Sequence, residues 1–251
     1  LTTLVAIIIA VFGSVLGSFF NVLIDRIPRG ESIVKPGSHC TACGKAIPWY
    51  KNVPILSYLI LGGKCSNCGA RIHWHHLLVE VVTPAILVAL FLKYGMEGPL
   101  FYKYAVMACF MIPIFFIDAF HHIIPHALSI PLIPLGLVFT MIPGTDVSLM
   151  AALLASGTIF CLLYLIAVLY ARIRKREGLG GGDIWLLTGL ATFFGSIHMP
   201  FLILLAALMG IIFFVAFIRN KEMEFAFGNF IALSAVIWAL GGNYFLDRLL
   251  F

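Results

Sequence analysis

Apolar residues run almost unbroken for long stretches of this chain, and polar residues collect in the gaps between them. A helix needs roughly 20 predominantly apolar residues to cross the hydrocarbon core of a bilayer. On that measure eight spans are predicted, at about 3–24, 77–94, 100–117, 127–143, 149–171, 184–197, 200–218 and 229–247. The sixth is short and contains glycine, which implies a start below the membrane surface or little tilt. The largest polar interruption is 25–76. The expected organisation is therefore a first transmembrane helix (1–24), a loop domain (25–76) and a transmembrane core (77–251). Eight crossings place both termini on one side.

Composition agrees. Of 251 residues, 62% are hydrophobic and 11% charged, and the mean hydropathy is +1.07. A soluble domain is nearer half apolar and about a quarter charged. The fold class expected is thus an all-α polytopic membrane protein with the lipid bilayer as its partner. The first span lacks a basic leader and a small-residue cleavage site, so it reads as a retained span rather than a signal peptide. The net charge of +5 does not suggest nucleic acid, because the basic residues sit in short loops rather than on one face.

Those loops give the orientation, since cytoplasmic loops carry an excess of Lys and Arg. Arg26, Arg29, Lys35, Lys45, Lys51, Lys64 and Arg71 follow span one. Arg172, Arg174, Lys175 and Arg176 lie on the same side, as do Arg219 and Lys221. Only Lys93, Lys103 and Arg248 fall on the other. Loop 25–76 is accordingly expected in the cytoplasm, with both termini outside.

Two CxxC pairs, Cys40–Cys43 and Cys65–Cys68, are separated by 21 residues, and each second cysteine precedes a glycine, Gly44 or Gly69. Such knuckles can set four thiolates tetrahedrally around Zn²⁺, close to the zinc-ribbon spacing. Disulfides are rare in a reducing cytoplasm, so topology and zinc support each other. Four thiolates leave no position for water, and the expected role is structural. His39, His73, His75 and His76 read as interfacial or solvated, and Cys109 and Cys161 as packing residues within spans.

Ionisable groups that enter apolar spans are costly and mark function by default. Glu80, Asp118 and Asp183 do so. Asp118 ends the third span before His121-His122-Ile123-Ile124-Pro125, and Asp183 opens the sixth after the glycine run of 178–182. Both arrive at the cytoplasmic ends of their helices. Two adjacent carboxyls in an apolar setting suit one proton held and one base, an aspartic-protease arrangement. The alternative is local capping, with Asp183 as an N-cap. His121 and His122 read as interfacial. The glycine run lacks the GKS/T ending of a phosphate loop.

With these residues assembled, the chain closely resembles the type IV prepilin peptidase family, the bifunctional leader peptidases and N-methyltransferases of pilus and type II secretion systems. The resemblance rests on Gly17-Ser18-Phe19-Phe20-Asn21-Val22 with Arg26-Ile27-Pro28, the four-cysteine loop, and Asn52-Val53-Pro54-Ile55-Leu56-Ser57-Tyr58. It continues through Glu80, the Asp118 segment, 178–183 and Phe227-Gly228. It implies catalytic Asp118 and Asp183 at the cytoplasmic face of a bacterial inner membrane. The implied substrates are type IV prepilins or type II secretion pseudopilins, cut after the Gly that ends a short basic leader. It also implies methylation of the new N-terminus, commonly Phe, by S-adenosylmethionine. The chain departs from the family pattern at Trp185 (usually Lys), His126 (where Pro-Asp is common), Asn229 (often Pro) and Lys51 (usually an acid).

Methyl transfer is fainter in the residues themselves. No GxGxxG fingerprint of a βαβ unit is present. Asn21, Arg26 and Glu80 converge near the cytoplasmic boundary as candidate cofactor-binding residues, with interhelical hydrogen bonding as the alternative for Glu80. Two other functions compete: an intramembrane GxGD protease without methyltransferase activity, and a zinc-knuckle membrane adaptor without catalysis.

Overall fold

The computed structural model describes residues 1–175, 178, 180–217 and 226–250, with side chains described except at 217 and 243–250. Arg176, Arg219, Lys221 and Leu179, invoked above, lie outside the described residues. The helices are α1 (Thr2–Arg26), α2 (Leu56–Ile60), α3 (Trp74–Tyr94), α4 (Pro99–His121), α5 (His126–Ser129), α6 (Leu132–Thr140), α7 (Leu149–Arg174), α8 (Gly181–Phe217) and α9 (Gly228–Leu250). No strand is formed among the described residues beyond two isolated bridges. The protein is a mostly helical membrane protein. Among the described residues, five stretches are long and apolar enough to cross a bilayer: Thr2–Arg29, Trp74–Tyr94, Pro99–His121, Leu149–Arg174 and Gly181–Ala216.

The eighth expected span, 229–247, corresponds to α9, whose apolar part with described side chains, Gly228–Gly242, is short, and the other differences from the eight expected spans have local causes. The stretch expected as one span at 127–143 is divided by Pro131 into α5 and α6, and its apolar helical part, His126–Thr140, is short. The sixth and seventh spans both lie in α8, which is interrupted at Gly195, where φ is 68° and ψ 179°. Glycine alone adopts that backbone without strain, so the break falls there, between 181–194 and 196–217.

The chain forms two compact units, Leu1–Leu92 and Lys93–Phe251. In the first, α1 lies close against α3 through two glycines. A Cβ at Gly13 would stand 2.7 Å from Pro84 Cα, and one at Gly17 would stand 2.8 Å from Glu80 Cα. Small residues at such positions let membrane helices approach backbone to backbone. The loop between α1 and α3 carries two near-identical knuckles. Bridges His39–Ala46 and Lys64–Arg71 each enclose a CxxC turn, closed by Gly44 N–H donating to Cys40 O (2.8 Å) and Gly69 N–H donating to Cys65 O (3.0 Å). Both glycines have φ near 70°, at 68° and 73°, the left-handed conformation that favours glycine.

In the second unit α4 is the central helix, with Met107, Ala108, Met111, Ile114 and Ile117 fully buried. It packs with α9 and with α5 and α6, while α8 packs with α6, α7 and α9. Glycine again permits close approach: a Cβ at Gly189 would meet Leu132 Cβ at 2.7 Å, and one at Gly136 would collide with Thr192. At the end of α4 remote from Asp118, Lys103 is wholly buried and pairs with Asp146, to which the Tyr104 hydroxyl also donates. Beside it, Lys93 Nζ and the Tyr94 hydroxyl donate to Ala239 O at 2.9 and 2.6 Å.

Candidate active site and cysteine centre

Asp118 sits in the last turn of α4, only 4% exposed. The helix ends because His122 turns left-handed (φ 54°) and returns its N–H to Asp118 O at 2.9 Å. The chain then passes through Ile124-Pro125 into α5. Asp183 lies in the first turn of α8, its N–H donating to Gly180 O at 3.1 Å. Both carboxyls line one cavity of about 470 Å³, together with His122, Ile124, His126 and Gly228. Thus two acids 65 positions apart in sequence reach the same space from different helices.

Their settings differ. Asp118 Oδ2 accepts the Asn229 N–H at 2.7 Å, one of the donors that the start of a helix leaves without an internal partner. The N-terminus of α9 therefore holds this carboxyl in place. Asp183 Oδ1 is buried and makes no hydrogen bond among the described residues. Buried acceptors are normally satisfied, so this oxygen stands out among the polar atoms of the site. Glycine makes the closure possible. A Cβ at Gly182 would stand 2.7 Å from Ile124 Cβ and 2.8 Å from Ile124 O, and one at Gly228 would stand 3.0 Å from Asp118 Oδ2.

Reasoning from sequence missed His122 and His126 as lining residues and missed the Asn229 N–H altogether. Phe227-Gly228 carried only resemblance, and a backbone donor leaves no mark in side-chain chemistry. Of the family departures, Trp185 packs its ring on Phe160 (centroids 5.2 Å) between α8 and α7, and Lys51 Nζ donates to Ser66 Oγ at 3.2 Å.

In the first unit the four cysteine sulfurs all lie within 4.8 Å of one another, and Cys40 Sγ is 3.8 Å from Cys68 Sγ. Four sulfurs at 2.3 Å from a tetrahedral zinc stand about 3.8 Å apart, so the residues fit the ion. Amides face the sulfurs. The Cys68 and Asn67 N–H groups pull the Cys65 thiol down to about 6, and the Lys45 N–H and Asn67 side chain lower that of Cys43. Such donors favour thiolate, the form that binds metal.

Arg26 and Glu80 take part in holding the loop, and Asn21 ties α1 to the start of α3. Asn21 Nδ2 donates to His76 O at 3.0 Å. The Arg26 guanidinium donates to Ser32 O (2.9 Å) and Gly37 O (3.2 Å). Glu80 Oε2 accepts the Ile55 N–H at 2.7 Å, where Ile55 itself has a positive φ of 64°.

Two family descriptions match the chain: a bacterial peptidase A24 N-terminal domain over residues 11–94, and a type IV leader peptidase family over 105–215. The first range holds the four cysteines, Asn21, Arg26 and Glu80, and the second holds Asp118 and Asp183. A prepilin leader peptidase/N-methyltransferase of Neisseria gonorrhoeae is 30% identical, over 91% of this chain and 87% of its own. Those of Dichelobacter nodosus and Pseudomonas aeruginosa are also 30% identical, over 93% and 92% of this chain and 91% and 88% of theirs. No solved structure matches the chain at a comparable level.

Proposed function

The chain belongs to the type IV leader peptidase family, and from that premise we propose that it is a bifunctional membrane enzyme. In this reading it removes the short basic leader of type IV prepilins or type II secretion pseudopilins after Gly and methylates the new N-terminus. The observation that carries the peptidase half is the convergence of Asp118 and Asp183 on one cavity. One carboxyl, as carboxylate, takes a proton from water as that water attacks the scissile carbonyl. The other, protonated, gives its proton to the carbonyl oxygen. The α9 N-terminus fixes Asp118 for this work, and Asp183 lines the same cavity as the second carboxyl.

For the methyl-transfer half, S-adenosylmethionine would supply the methyl group, and Asn21, Arg26 and Glu80 are the proposed residues on its side of the protein. The hydrogen bonds of Arg26 and Glu80 to loop backbone, and of Asn21 to the start of α3, support a role in shaping this region as a binding surface. Zn²⁺ held by Cys40, Cys43, Cys65 and Cys68 would staple that loop, which at about 50 residues is small to stand without one.

The proposed topology has eight crossings in the bacterial inner membrane, both termini outside and the cavity facing the cytoplasm. It is supported by the basic loops and by the break of α8 into two helices at Gly195. There a prepilin's leader meets the cavity while its apolar helix lies in the bilayer. The deciding experiment incubates the purified chain with a prepilin and labelled S-adenosylmethionine. Cleavage with methyl incorporation is expected. Cleavage alone would leave a protease, and neither would leave an adaptor.

A further inference from the structure

A second cluster of metal-binding side chains stands in the first unit, apart from the cysteines. Asp25 occupies the inner end of α1, and His75 and His76 the first turn of α3. One ligand atom from each lies within 4.8 Å of the others. His75 Nε2 faces Asp25 Oδ1 at 3.7 Å, and His76 Nε2 faces Asp25 Oδ2 at 3.7 Å. Each imidazole thus has its own carboxylate oxygen. Both distances exceed hydrogen-bond range. Ligand atoms bound at 2.0–2.2 Å to one tetrahedral zinc stand about 3.4 Å apart. The two nitrogen–carboxylate distances are within a few tenths of an ångström of that value, and all three groups lie close enough to share one ion.

The surroundings match that use. His75 Nδ1 and His73 Nδ1 are 2.8 Å apart, which requires one nitrogen to donate and the other to accept, so these two rings are not both imidazolium. Metal-bound histidines characteristically engage their other ring nitrogen in such a contact, which fixes tautomer and ring plane. With the proton on Nδ1, His75 presents the lone pair of Nε2 toward a carboxylate, an arrangement that a cation between them makes favourable. His76 stacks on His75 with centroids 4.3 Å apart, and its backbone is held by Asn21. The side chains of Asp25 and His76 are 36% and 28% exposed, so an ion can enter and keep coordination positions for water.

We propose that Asp25, His75 and His76 form a second metal site, taking Zn²⁺ or a similar late first-row divalent cation. Two imidazoles and one carboxylate suit such ions rather than Mg²⁺ or Ca²⁺. The bound ion clamps the inner end of α1 to the start of α3. Three protein ligands make it an open site, unlike the closed cysteine centre.

The test is optical titration of the metal-stripped, full-length chain in detergent with Co²⁺. The wild type should bind about two ions: one giving thiolate charge-transfer absorption, the other only weak ligand-field bands. Asp25→Asn and His76→Gln should each lose the second equivalent and keep the thiolate band, which also reports that the unit is folded. A wild type that saturates at one equivalent overturns the proposal, as does a second equivalent that persists in both variants.

Discussion

The backbone N–H of Asn229 donates to Asp118 Oδ2 at 2.7 Å, joining the start of α9 to an acid 111 positions earlier. Proline at 229 would be tolerated in the first turn of a helix but has no N–H to give. Hydrogen bonds to charged groups contribute about 1.5–3 kcal/mol. Because Pro often stands at this position in the family, losing the N–H alone should not abolish cleavage: Asn229→Pro should cleave within about tenfold of the wild type, and Asn229→Ala, which keeps the N–H, near the wild-type rate. A loss beyond about 100-fold in Asn229→Pro alone would show that this chain depends on the contact.

Asp118→Asn and Asp183→Asn should each reduce cleavage by at least about 10²–10⁴-fold in folded, inserted protein. Methylation of a synthetic, already cleaved pilin should survive in Asp183→Asn, because the cysteine loop, Asn21 and Glu80 lie in the other compact unit. Glu80→Gln should show the reverse pattern, losing methyl transfer more than cleavage. Loss of methylation in a folded Asp183→Asn protein would show that the two activities share one site.

Gly182→Ala should impair cleavage without unfolding the protein. The added Cβ meets the Ile124 carbonyl oxygen at 2.8 Å, so backbone must shift where Asp183 is positioned. Displacing a reacting group by about 1 Å can cost about 10²-fold. A steady-state assay with a prepilin measures this, and an unchanged kcat/KM would contradict the close-approach argument.

The cysteine centre should hold its zinc at neutral pH and release it on acidification. Cys65 lies below the ordinary thiol range, at about 6. Its thiolate is thus present above that pH and is protonated as the pH falls through it, and protons compete with metal for the sulfur. The thiolate absorption of the Co²⁺ form should persist at about pH 7 and fade as the pH falls, because protons compete with the metal for the sulfurs. Fading that began well above neutrality would contradict the amide-stabilised thiolate.

Breaking the buried pair of Lys103 and Asp146 on one side should cost more than removing both. The Lys103 side chain is 0% exposed, and a buried charge stripped of its partner typically destabilises by about 3–5 kcal/mol. Asp146→Ala should markedly lower the melting temperature in detergent, and Lys103→Met with Asp146→Ala should recover much of the loss. No change in Asp146→Ala would show that the pair is energetically idle.

What the sequence by itself determined is what short-range pattern encodes. Apolar runs fix membrane helices because a bilayer demands a contiguous length, and Thr2–Arg29 or Pro99–His121 could be read without any partner. Each CxxC turn closes within five residues, so Cys40, Cys43, Cys65 and Cys68 were legible as one centre once two copies were seen. Asp118 and Asp183 were visible because a charge beside an apolar run is costly wherever it lies. Tertiary structure alone decided what faces them. Asn229 meets Asp118, Ile124 rests on Gly182, and Asp25 faces His75 and His76 through contacts that no periodicity carries. The break at Gly195 belongs here as well, since a glycine in an apolar run permits a left-handed turn without requiring one. Lys103 read only as a charge on the outer side, and its burial depends on Asp146 arriving from beyond α6 to neutralise it.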